Sequence, residues 1–116
     1  MPLEQILNII ACNILILFGV YSLLMPRKVA ETAHVTPDDA IGTAEIRISF
    51  GGLSLMTGVV PYIFNEPVVY QAVGVIYLGA LLTRLVTVAV DRPKLERSFM
   101  TTGLFELAIG LILLLR

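Results

Sequence analysis

From Gln5 to Met25 the chain runs 21 residues without a charged side chain. An α-helix rises about 1.5 Å per residue, so a run of this length crosses the roughly 30 Å hydrocarbon core of a bilayer. The first segment is therefore read as a membrane span. Secretory cleavage fits it poorly, because the leader Met1-Pro-Leu-Glu4 has no basic residue and no small-residue cleavage site closes the apolar run. Ile9-Ile10-Ala11-Cys12 mimics a lipoprotein box, but the stretch before it is too short and lacks a basic start, so Cys12 is read as a small packing residue.

Three more segments follow the same logic. Met25-Pro26 stops the first helix, and Arg27 to Val35 is read as a polar loop. Thr36-Pro37-Asp38-Asp39 offers an N-cap hydroxyl, a proline for the first helical position and two acids for the positive end of the dipole, so a helix is expected to start there. It continues through the charge-free run Ile48 to Asn65, with Pro61 bending its last turn. Asn65-Glu66-Pro67 is a tight turn, and Pro67 to Val90 holds a single charge, Arg84. After the charged connector Asp91 to Arg97, Ser98 to Leu115 is interrupted only by Glu106. The expected architecture is one all-α domain over residues 1–116, an integral membrane antiparallel four-helix bundle with spans at about 5–25, 41–64, 67–90 and 98–115.

Composition agrees with that assignment. In a chain of 116 residues, 57% are hydrophobic and 15% charged, too apolar for a small domain that must cover its surface in water. Eight Lys plus Arg against nine Asp plus Glu leave no basic footprint for nucleic acid. A lone Cys12 and a lone His34 exclude an intrachain disulfide, a thiolate metal cage and a bis-histidine haem, so no cofactor is expected. Basic residues divide unevenly: Arg27, Lys28, Arg92, Lys94 and Arg97 lie in two connectors on one side, and Arg116 alone on the other. The positive-inside rule then puts the connectors in the cytoplasm and both termini outside a bacterial inner membrane.

Charges within the spans are the candidates for function. In the second span Arg47, Gly51, Ser54 and Gly58 share one helical face, and in the fourth Gly103, Glu106 and Gly110 do. Small residues mark close helix contact in membranes, so Arg47 and Glu106 are expected to face protein. The first span carries Asn8, Cys12, Leu15, Gly19 and Ser22 on one stripe, and the third Tyr77, Ala80, Arg84, Thr87 and Asp91. By helical rise, Arg84 lies roughly 9 Å inside Val90 and Glu106 roughly 12 Å inside Ser98. Glu45 and Arg47 sit near the same edge, so two acids and two bases occupy one leaflet with no net charge.

Unpaired charges at such depth cost about 2.5 to 3.5 kcal/mol on insertion scales, so Arg84 is expected to pair with Glu106. Glu45 and Arg47 point about 200° away from each other and are expected to bond to other helices, unless Glu45 simply complements its helix start. Two roles stay open for the quartet: a device that fixes which helices meet, or the lining of a cavity that binds a headgroup or carries a proton. Tyr21, Tyr62 and Tyr70 lie near helix ends as interfacial anchors, whereas Tyr77 shares the Arg84 face. Asn8 and Asn13 diverge by about 140°, so at most one joins the interior stripe and interhelical hydrogen bonding is the expected role.

Ala44-Glu45-Ile46-Arg47 followed by Phe50-Gly51-Gly52-Leu53 resembles a family of small bacterial four-helix membrane proteins of unknown function, whose signature is A-E-I-R, a short gap, an aromatic and G-G-L. The resemblance covers nearly the whole chain and implies a basic residue late in the third span and a glutamate in the fourth, which Arg84 and Glu106 match. One departure is Thr83, where that family commonly has a glycine. No reaction comes with the resemblance. No nucleophile has an intramembrane histidine beside it, so catalysis is not expected. The expected role is a module that binds membrane lipid, a small lipophilic ligand or a partner membrane subunit through Glu45, Arg47, Tyr77, Arg84 and Glu106. The alternative is a proton-coupled transporter acting as a homodimer, with Glu106 as the carrier.

Overall fold

The computed structural model describes residues 2–116 and is all-α, with no strand among the described residues. We number five helices: α1 (Leu3–Leu24), α2 (Pro26–Thr32), α3 (Ala40–Phe64), α4 (Pro67–Val90) and α5 (Arg97–Leu114). All but α2 are long and apolar enough to cross a membrane. That set is compatible with a helical bundle in a multi-pass membrane protein.

Helix α2 corrects the expectation of a polar loop from Arg27 to Val35. Pro26 takes its first position, Val29 and Ala30 are buried, and Arg27 and Lys28 stay exposed. Its end is a Schellman closure: Val35 N–H donates to the Ala30 carbonyl and His34 N–H to that of Glu31, with His34 in the left-handed region at φ 59°. Glycine is the usual residue there, and histidine at that position hides the stop from a reader of the sequence. The start of α3 also differs from expectation. Asp39, rather than Thr36, is the N-cap, and its Oδ1 accepts the Gly42 N–H at 2.8 Å. Between Arg47 and Gly52 the helix widens into a π-helical stretch, which α-helical spacing does not reveal. Asn65, left-handed at φ 50°, closes α3, and Pro67 opens α4.

The chain forms two compact units. One comprises the start of α1 through Asn8 together with residues 66–116, and the other runs from Ile9 to Asn65. In the first, α4 packs on α5 at a point where a Cβ on Gly74 would lie 2.8 Å from the Gly110 carbonyl oxygen, so the two backbones touch. Asn8 is fully buried and donates from Nδ2 to the Ile112 carbonyl at 2.8 Å, tying α1's first turns to the end of α5. Arg116 Nη1 reaches Asn8 Oδ1 at 3.4 Å, and its guanidinium carbon sits 4.3 Å from the centroid of Tyr70. Tyr70 is thus a buried packing residue rather than an interfacial anchor, while Tyr21 and Tyr62 are exposed.

In the second unit α1 packs on α3. A Cβ on Gly58 would come within 2.6 Å of the Cys12 carbonyl oxygen, and Ser54 Oγ donates to the Leu15 carbonyl at 3.0 Å. Tyr62 crosses from α3 to α1, donating to Asn13 Oδ1 at 3.1 Å. Asn8 is therefore the buried asparagine and Asn13 the exposed one, and both make interhelical bonds.

Candidate functional site

Within the first unit, α4 carries Arg84 in its last turns and α5 carries Phe99, Gly103 and Glu106 in its first ones. The pair meets as a fork. Arg84 Nε donates to Glu106 Oε1 at 2.7 Å and Nη2 donates to Oε2 at 3.1 Å. This two-point geometry is the strong form of a guanidinium–carboxylate contact, and it needs the planar arginine head. The side chains are 21% and 11% exposed. Phe99 covers the guanidinium carbon at 4.7 Å from its ring centroid. Gly103 makes room for the arginine stem, because a Cβ there would lie 3.2 Å from Arg84 Cδ. Thr87 Oγ1 donates to the Arg84 carbonyl at 2.6 Å, which satisfies the hydroxyl within its own helix.

A guanidinium carries five N–H donors, and Glu106 takes two of Arg84's. Among the described residues no acceptor takes the other three, both of those on Nη1 and one on Nη2. The pair as a whole has no net charge.

Glu45 and Arg47 lie in the second unit and are occupied differently. Arg47 Nε donates to the Leu23 carbonyl at 3.1 Å, placing a cation on the last turn of α1 where the helix dipole is negative. Glu45 is exposed and lines an open cavity of about 570 Å³ with Asp39, Ile41, Ile46, Ser49 and Phe50. Tyr77 is half-buried on α4, two turns before Arg84. Of the five candidates, then, Arg84 and Glu106 bond to each other, Arg47 bonds to α1, and Glu45 faces a cavity.

Two features escaped the reading of the sequence. Phe99 over Arg84 was legible only as an aromatic one turn from Gly103, and the Asn8, Tyr70 and Arg116 cluster joins residues far apart in the chain. Arg116 on its own reads as a terminal anchor. Among the described residues, no group of three or more His, Cys, Asp or Glu side chains is placed to hold a metal ion.

A family model described as Domain of unknown function (DUF4345) matches residues 3–116. The chain belongs to this family. No curated protein and no solved structure matches it. The DUF4345 match spans all five helices, so the Arg84–Glu106 fork and the Glu45 cavity both lie within the family's domain.

Proposed function

We propose that this DUF4345 chain is a non-catalytic membrane module that binds a lipid or small lipophilic ligand through a hydrogen-bond acceptor seated on Arg84. The observation that carries the reading is the fork itself: Glu106 neutralises the guanidinium while leaving three of its donors unused. A site of zero net charge with spare donors favours a neutral acceptor, such as an ester or quinone-like carbonyl, over a free anion. Phe99 adds an apolar, polarisable wall beside it. The hydrocarbon of a membrane around this part-buried pair would strengthen each such hydrogen bond, because water would compete less for the donors.

Proton-coupled transport by a homodimer draws less support. Both Glu106 oxygens accept from Arg84, so the carboxylate would have to leave the fork before it could carry a proton. The orientation we propose is a cytoplasmic membrane with both termini outside, resting on five basic residues in two connectors against Arg116 alone.

Native mass spectrometry of the protein released from nanodiscs tests the binding role. The wild type should retain an adduct of defined mass, and the folded double variant Arg84→Leu with Glu106→Leu should lose it. Equal retention by both proteins, or an empty wild type, would overturn the reading.

A further inference from the structure

The second unit holds a cavity with a chemistry of its own. Its volume of about 570 Å³ falls in the range of small-molecule sites, roughly 300 to 1,000 Å³. Its wall joins the segment 35–39 to the first turns of α3 and the π-helical stretch. One part of the wall is apolar, with Ile41, Ile46 and Phe50. The charged part has a single sign: Asp38, Asp39 and Glu45 line it, and among the described residues no Lys, Arg or His does.

The carboxylates are not equivalent. Asp39 holds the helix N-terminus through Gly42 N–H, so one of its oxygens is engaged. Glu45 sits on the regular turn that follows. The cation nearest to it in sequence, Arg47, is turned away to the Leu23 carbonyl on α1. An apolar wall with an aromatic ring and a carboxylate lacking its own cation is the combination that receives an ammonium head with a hydrocarbon tail. An anionic headgroup would meet three like charges.

We propose that this cavity binds a cationic amphiphile, an alkylammonium whose charged head pairs with Glu45 and whose tail lies along Ile41, Ile46 and Phe50. Arg84 does not line this cavity, and the proposal stands whether or not the Arg84 reading holds.

The test uses the full chain in uncharged maltoside micelles, with octyltrimethylammonium as probe and octyl sulfate as its anionic counterpart, read by microscale thermophoresis. Saturable binding of the ammonium is expected, with the sulfate much weaker. Glu45→Gln should weaken the ammonium roughly fivefold, the scale of one partly exposed ion pair. Ser49→Lys, which sets a cation into the same wall, should abolish it. Binding should persist in the Arg84→Leu, Glu106→Leu double variant, which separates this site from the one above. Equal affinity for the sulfate, an unchanged affinity in Glu45→Gln, or no saturable binding would each overturn the proposal.

Discussion

Glu106 holds Arg84 by both oxygens, so taking the acid away leaves a largely buried guanidinium, covered by Phe99, without its counter-charge. Breaking one side of a buried pair is far more costly than replacing both sides with apolar residues of similar size. Glu106→Gln is therefore expected to lower stability by roughly 3 kcal/mol, while the double change of Arg84 and Glu106 to leucine is expected to be close to neutral. Thermal unfolding in a mild detergent checks both, and an unchanged melting temperature for Glu106→Gln would show that the fork contributes little. That these two residues meet was legible from charge and depth alone, since each is the only charge within its span and apolar surroundings force opposite charges together. What lies over the guanidinium was not. Whether Phe99 stacks on Arg84 depends on the rotation of α5 about its axis, which no local pattern fixes. The burial of Tyr70 was hidden for a related reason, because its cation comes from Arg116, 46 positions away (116 minus 70).

At the scale of helices, the four long apolar elements follow from hydropathy and length, and proline and asparagine mark several helix ends: Pro26 opens α2, Asn65 closes α3 and Pro67 opens α4. The short α2 was missed because a single buried Val-Ala step gives too little periodicity, and its left-handed closing residue is His34 instead of glycine. The π-helical stretch was missed because Arg47 and Gly51 both meet Leu23 on α1, as an ordinary four-residue step would place them. Glycine spacing pointed to tight helix contact, yet two glycines five residues apart on α4 behave oppositely. A Cβ at Gly74 would strike the backbone of α5, whereas one at Gly79 meets nothing within 4 Å. Gly79→Ala should stabilise by about 0.5 to 1 kcal/mol through helix propensity, and Gly74→Ala should destabilise by about 1 to 3 kcal/mol through overpacking. Melting temperatures moving in opposite directions are the expected result, and shifts of the same sign would argue against close contact between α4 and α5. The N-cap offers a second check on α3: Asp39→Ala should cost about 1 kcal/mol by removing the acceptor for Gly42 N–H, whereas Thr36→Ala should be nearly silent.

For the molecule as a whole, the number of crossings and the charge of the connectors together determine topology. Four helices are long and apolar enough to cross a membrane, and if all four do, the parity of crossings predicts α2 and the α4–α5 connector on one side and the Asn65–Glu66 turn on the other. Arg27 and Lys28 are exposed on α2, as are Arg92 and Lys94 after α4, which is what the proposed cytoplasmic placement of these connectors requires. Cysteine labelling reads this directly, because the native Cys12 is buried and should stay silent. With a membrane-impermeant maleimide on intact expressing cells, Glu66→Cys should react. Lys28→Cys and Lys94→Cys should react only after permeabilisation, since both replace exposed residues on the proposed cytoplasmic side. The mirror pattern, with Lys28→Cys and Lys94→Cys labelled and Glu66→Cys protected, would keep four spans and reverse the orientation. Labelling that separated position 28 from position 94 would instead break the four-span count, because an even number of crossings, α3 and α4, lies between them.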